Sequence, residues 1–246
     1  MEKDIAILIG RKGSKGFPNK NTIKVGSKHL CEYPILAAKG VKSIKNFFVA
    51  TDCDKIKRIT KKYGVEFIKR PKKLNTDKAL GEDVYKYCYN YIRKKFDKEN
   101  KKIRYIILLM ANAPMIKVSA IKNGISQLNK NSKADSAVSV SKYNMWSPIR
   151  ARKINHNGFL DPFIPFEKMK LKTVNCDRDS QGNVFYADMS VSIVKPKCIE
   201  KMNLGLLPQK WMGRKILPIF SEYAFDLDFP WQLPQIKYWL KKNFKK

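Results

Sequence analysis

The chain has 246 residues, 43% of them hydrophobic, with 11 tyrosines and 13 phenylalanines, which excludes a disordered protein and fits one large α/β domain or a domain carrying an insertion. Its formal charge of +30 comes from 42 lysines and nine arginines spread along the whole length, a dispersal that speaks for compositional bias and against a specific nucleic-acid reader. Five widely spaced cysteines without a C-x-x-C pair, only two histidines and no apolar run near the roughly 18 residues of a membrane span point to reduced thiols, no zinc site and a soluble, cytoplasmic protein with no membrane partner.

Ile5-Ala6-Ile7-Leu8-Ile9 is an apolar run of strand length, buried on both faces as in a parallel sheet. Tyr33 to Gly40 reads as a helix with proline in its first turn and glycine at its end. Phe47 to Thr51 is a second strand, Asp54 to Gly64 an amphipathic helix that an Asp can cap and a glycine can stop, and Val65 to Ile68 a third strand. A longer helix is expected from about Gly81 to Phe96, with Val84, Tyr87, Cys88, Tyr91 and Ile92 on one stripe. Ile103 to Met110 is the most apolar strand; Ser119 to Asn129 is a helix and Ser136 to Ser141 a strand. Strands and helices alternating at this spacing mean βαβ units on a mostly parallel sheet.

The rhythm breaks between Lys142 and about Ala187, a polar segment with Trp146 and three prolines that reads as an excursion from the sheet. Met189 to Val194 resumes as a strand, Tyr223 to Asp228 is expected as a last strand, and Trp231 to Phe244 as a closing helix. The domain organisation is therefore 1–141 with 188–246 as an α/β domain, and 142–187 as an inserted arm.

Two places carry chemistry. The first strand empties into Gly10-Arg11-Lys12-Gly13-Ser14-Lys15-Gly16-Phe17-Pro18-Asn19-Lys20-Asn21, a loop with three glycines and four cations. Glycines bring backbone N–H groups close to a ligand, and such groups together form an anion-binding concavity. Arg11, Lys15 and Lys20 add charge there, as a triphosphate requires. The loop is neither a Walker pattern nor a dinucleotide fingerprint, and in so lysine-rich a chain it can also be a basic solvated turn. Its position at the C-terminal end of the first strand, where open α/β sheets bind ligands, favours the phosphate reading. Asp226 and Asp228, two apart, project to one face of an extended segment. Same-facing carboxylates suit a hard cation such as Mg²⁺; the alternative is a polar strand end with one Asp capping the following helix.

The Gly10–Gly16 loop followed by Lys20-Asn21 resembles the opening signature of the acylneuraminate cytidylyltransferases, the CMP-sialic acid synthetases and their CMP-Kdo relatives. The resemblance continues in family order through Gly26-Ser27-Lys28-His29-Leu30, Val49-Ala50-Thr51-Asp52, Lys69-Arg70-Pro71, Leu74-Asn75-Thr76-Asp77 and Phe225-Asp226-Leu227-Asp228. It implies a nucleotide-diphosphosugar transferase fold: a three-layer α/β architecture around a mostly parallel sheet, dimeric, with an arm that completes the partner's sugar pocket. The implied reaction joins CTP to a 2-keto sugar acid, releasing pyrophosphate, with Mg²⁺. Gly10, Arg11, Gly13, Ser14 and Lys15 would hold the triphosphate, Lys20 would stabilise charge on the α-phosphate together with Arg11 and Lys15, and Asn21 would reach the ribose. Arg70 and Ala79 would contact the nucleotide, and Asp226 and Asp228 would hold the metal.

The acceptor side departs from the pattern. Where the family has Leu-Gln-Pro-Thr-Ser-Pro-Leu-Arg, this chain has Leu109-Met110-Ala111-Asn112-Ala113-Pro114-Met115-Ile116. Ala79-Leu80-Gly81 replaces Ala-Ser-Ser, and Asp188-Met189 replaces an Asn-Gly. Asn112 is then the candidate for the missing glutamine, and Arg150 or Arg152 on the arm for a bidentate clamp on the sugar carboxylate. The sequence leaves two further readings: a nucleotide-binding scaffold that has lost transfer, and a basic nucleic-acid-binding protein.

Overall fold

The computed structural model describes residues 2–76, 78–169 and 174–244; Asp77, from the Leu74–Asp77 block, and residues 170–173 of the arm lie outside the described residues. In chain order the elements begin with β1 (Glu2–Ile9), the hairpin β2 (Lys24–Val25) and β3 (Lys28–His29), and α1 (Glu32–Lys39). They continue with β4 (Ile44–Ala50), α2 (Asp54–Lys61), β5 (Glu66–Ile68), α3 (Gly81–Lys98), β6 (Lys102–Met110), α4 (Val118–Lys130) and β7 (Ser136–Lys142). The arm carries β8 (Arg152–Ile154) and β9 (Leu160–Pro162), and the chain closes with β10 (Phe185–Val194), α5 (Pro196–Glu200), β11 (Ile216–Ser221) and α6 (Leu233–Asn243).

Seven strands form the central sheet in the order β11-β7-β10-β6-β1-β4-β5. Its neighbouring pairs are parallel except where β10 runs antiparallel to β6 and β7. Alternate strand residues feed opposite layers. Ile5, Ile7 and Ile9 pack with Val84, Cys88 and Ile92 of α3, while Ala6 and Leu8 pack with Ile35 of α1, Ile56 of α2 and Ile121 of α4. Both faces of β1 are thus covered, which is why its sequence is continuously apolar. The result is the mostly parallel sheet expected from the alternation, in the three-layer α/β architecture that the resemblance implies. A third, smaller core under α6 gathers Leu30, Met115, Ala224, Leu227 and Trp239.

The sheet order places the functional crevice. From β1 the chain winds outward to β4 and β5, then returns to lay β6 on the other side of β1. The C-terminal ends of β1 and β6 therefore flank a topological switch point, where open α/β sheets leave room for ligands.

Four expectations are corrected. Residues 223–228 are not a strand; the last strand is β11, over Ile216–Ser221, and the two carboxylates follow it on an irregular segment. The α3 stripe adds Tyr85 and Tyr89 and loses Tyr91, which is 43% exposed, while Tyr87 packs half-buried at its edge. Tyr85 and Tyr89 go inside because their hydroxyls find partners there, donating to the Leu109 carbonyl (3.4 Å) and to Glu200 (2.5 Å). The position before α2 is held by Cys53, not by an aspartate cap, and its N–H donates to the Thr51 hydroxyl (3.0 Å). Finally, β10 begins at Phe185, paired with Lys142, and carries an irregularity between Ala187 and Ser192 that contains Asp188 and Met189.

Candidate active site

A cavity of about 330 Å³ opens at the switch point. From the glycine-rich loop it is lined by Gly10, Arg11, Gly13 and Ser14, and from the short turn Lys20–Thr22 by Lys20 and Asn21. Arg70 enters from beyond β5, Ala79 and Gly81 from the start of α3, Asn112 from beyond β6, and Asp226 and Asp228 from beyond β11. Residues separated by more than 200 positions thus meet because parallel strands present their C-terminal ends on one side. Two glycines make the loop possible. Gly13 has φ +74°, and a Cβ on Gly16 would lie 2.7 Å from the Asp228 carbonyl oxygen, so only glycine lets the loop approach the carboxylate segment.

The loop is tied down by its own chain. The Lys12 N–H donates to the Asp52 carboxylate (2.8 Å), and the Asn21 side-chain amide donates to the Arg11 carbonyl (3.1 Å). That leaves Asn21 Oδ1 buried without a partner among the described residues. Arg70 is in the same condition. It is 7% exposed, one guanidinium nitrogen donates to the Leu74 carbonyl, and Nε has no partner. Buried polar atoms are rarely left unpaired in a folded protein. Here an acceptor and a donor, both on residues edging one cavity, are available to a ligand. Burial lowers the Arg70 pKa, with Asp52 opposing the effect, and the group remains a cation.

Asp226 and Asp228 both face the cavity while Leu227 between them is fully buried in the core under α6, so the two-residue alternation survives without a strand ladder. Burial raises the Asp226 carboxyl above the ordinary range and the like charge of Asp228 raises it further; Lys20 and the Asn112 amide act against this. Lys20 forms an ion pair with Asp228. Among the described residues no third carboxylate, histidine or cysteine joins the pair. A two-carboxylate oxygen set suits a hard cation such as Mg²⁺, which keeps waters and substrate phosphates for its remaining positions. The residues fit that ion.

Not every predicted site residue meets here. Lys15 is exposed and is not part of the lining. Arg150 and Arg152 border a separate cavity of about 360 Å³ on the arm, where they donate to the carbonyls of Cys176 (3.1 Å) and Ile149 (2.8 Å). Asn112 lines the cavity, with both hydrogens of its amide engaged within the protein, on Asp226 Oδ2 and the Leu227 carbonyl (3.1 Å each). Met110 lines the cavity and Ile116 is buried at 2% exposure, so the position of the family's terminal arginine lies in the core.

Sequence reasoning missed the scaffold behind the carboxylates. Asp188, in the β10 irregularity, accepts from the hydroxyls of Ser139 (2.5 Å) and Ser141 (2.7 Å). The Ser141 hydroxyl also accepts from the Ala224 N–H (3.0 Å), and the Tyr186 hydroxyl donates to the Ala224 carbonyl (2.6 Å). The serines at alternate positions of β7 were the visible signal.

A family model described as cytidylyltransferase matches residues 5–157, more than half of the chain. The chain belongs to the cytidylyltransferase family. Among individual relatives of this cytidylyltransferase-family chain, the N-acylneuraminate cytidylyltransferase of Escherichia coli O18:K1:H7 (strain RS218 / NMEC) is 38% identical over 86 residues, 35% of this chain and 20% of that protein. The Helicobacter pylori (strain ATCC 700392 / 26695) pseudaminic acid cytidylyltransferase and UDP-2,4-diacetamido-2,4,6-trideoxy-beta-L-altropyranose hydrolase is 30% identical over 148 residues, 60% of this chain and 27% of that protein. The chain thus spans less than a third of the length of either relative. The structure of CMP:2-keto-3-deoxy-manno-octonic acid synthetase complexed with CTP superposes with a TM-score of 0.66 at 13% identity, covering 98% of this chain and 99% of that one, a likeness of fold.

Proposed function

We propose that this protein is a Mg²⁺-dependent cytidylyltransferase that transfers CMP from CTP to an acidic, 2-keto, nonulosonic-type sugar. The observation that carries the reading is the single cavity in which the glycine-rich loop, with Arg11, Ser14, Lys20 and Asn21, faces Asp226 and Asp228. The relatives named for N-acylneuraminate and pseudaminic acid support the substrate class.

In this reading Arg11, Ser14 and the loop amides bind the triphosphate, and Lys15, at the loop's exposed edge, adds long-range attraction. The unpaired Asn21 oxygen accepts a ribose hydroxyl, and Arg70 donates to the nucleotide. Mg²⁺ held by Asp226 and Asp228 supplies neutralisation of phosphate charge. The anomeric hydroxyl oxygen of the sugar forms a bond to the α-phosphorus as the bridging P–O bond breaks. That electron pair leaves with pyrophosphate and the hydroxyl proton passes to solvent. Lys20 stabilises the charge that grows on the α-phosphate, so most of the catalysis is positioning and charge.

The arm supports a homodimer. Ile154, Phe159, Leu160 and Phe163 are 60–74% exposed on a short hairpin, and an isolated hairpin is marginal in water. A second copy covering them would bring Arg150 and Arg152 toward a neighbouring acceptor site. Calorimetric titration of each of the four nucleoside triphosphates with Mg²⁺ tests the nucleotide assignment. CTP is expected to bind tightest, and equal binding of all four, or of none, refutes it.

A further inference from the structure

Asn112 lines the ligand cavity, yet it is 7% exposed and its amide nitrogen is turned toward the protein. Its amide nitrogen donates one hydrogen to Asp226 Oδ2 (3.1 Å) and the other to the Leu227 carbonyl (3.1 Å). Its backbone carbonyl accepts from the Leu227 N–H (2.8 Å). Three hydrogen bonds therefore clasp the residue beyond β6 to the two residues that carry one of the site carboxylates. The clasp stands where 222–228 has no strand ladder of its own to fix it. Further supports are Leu227, anchored in the core under α6, Ala224, tied to Ser141 and Tyr186, and Gln232, whose side-chain oxygen accepts from the Asp228 N–H (2.7 Å). On the carboxylates themselves, Lys20 pairs with Asp228 and Asn112 donates to Asp226.

We infer that Asn112 is a positioning residue for Asp226, fixing which oxygen that carboxylate turns toward the cation and in what direction, and that it is not a contact for the sugar acceptor. The inference rests on Asp226 being a metal ligand. Outer partners of this kind orient ligating carboxylates, and their loss weakens metal binding while leaving the substrate contacts in place. A threonine here would offer one hydroxyl donor where asparagine offers two amide hydrogens.

The test is titration of Mn²⁺ into the full chain with the free ion counted by electron paramagnetic resonance, for wild type, N112A, N112T and D226N. N112A is expected to bind Mn²⁺ about 10- to 100-fold more weakly than wild type. N112T should recover part of that loss. In turnover, N112A should raise the Mg²⁺ concentration needed for half-maximal rate and lower kcat while leaving KM for the sugar acid unchanged. Wild-type Mn²⁺ affinity in N112A, with KM for the sugar raised, would overturn the inference and return Asn112 to the acceptor site. A merely structural role would lower the melting temperature of both N112A and N112T without moving Mn²⁺ affinity, which also overturns it. If wild type and D226N bind Mn²⁺ equally poorly, the metal assignment itself fails and the inference falls with it, a result distinct from the other two.

Discussion

Lys20 has one partner in the structure and a second in the proposed reaction. In the structure its ammonium group pairs with Asp228, yet its place in the cavity is beside the loop that would hold phosphate. A cation in that position attracts the charge that develops during transfer, and a single preorganised donor of this kind is worth roughly 100- to 1,000-fold in rate. Lys20→Ala should therefore lower kcat by about that factor while changing KM for CTP less, measured by pyrophosphate release. Undiminished turnover would remove Lys20 from the mechanism. At this scale the place of the glycine-rich loop at the cavity was legible because its residues are contiguous and follow the first strand. The role of Asn112 was not, because it depends on a contact with Asp226, more than 100 positions away, that nothing in either segment announces.

Among the elements, the buried strands β1 and β6 were legible as continuous apolar runs, while β11 was not. Its sequence is short and interrupted by Pro218, which an edge strand tolerates because one side of its backbone faces away from the ladder. The Asp226–Asp228 segment shows the converse: alternation read as a strand, but the alternation is set by Leu227 entering the core. Helix α1 offers a stability test at this scale. Glu32, buried in its first turn, accepts from the His29 N–H (2.6 Å) and the Tyr63 hydroxyl (2.6 Å) and pairs with Lys62 (2.7 Å), joining β3, α1 and the end of α2. Burial alone would raise its carboxyl, but Lys62, Tyr63 and His29 together hold it at about 2, below its ordinary 4.5. Its contribution is therefore complete above pH 4.5 and is lost as pH falls toward 2. It amounts to at most about 3 kcal/mol, reduced by solvent around Lys62. Urea midpoints should show Glu32→Gln less stable than wild type at neutral pH, with the gap closing between pH 4.5 and 2. A gap independent of pH would contradict this account.

The molecule as a whole carries a charge of +30 that the cavity chemistry does not need. Dispersed lysines attract polyanions without selecting among them, so binding to DNA or RNA should be weak, indifferent to sequence and largely abolished by about 200 mM salt. CTP binding in the cavity should persist there, and filter binding beside calorimetry at about 50 and about 200 mM salt separates them. Among the described residues no helix is long and apolar enough to cross a membrane. The arm belongs to this scale as well. If a second copy covers its exposed side chains, Phe159→Asp with Leu160→Asp should convert a sedimenting dimer to monomer. A wild-type monomer at micromolar concentration would contradict the dimer.

The most direct test of the central claim is turnover. Purified protein with Mg²⁺ is given each of the four nucleoside triphosphates against a panel of 2-keto sugar acids, with pyrophosphate counted and the sugar product weighed by mass spectrometry. The account predicts pyrophosphate release with CTP and at least one acidic sugar, in step with a product heavier by CMP. Release with another triphosphate in preference to CTP, or no product across the panel while CTP still binds, would contradict it.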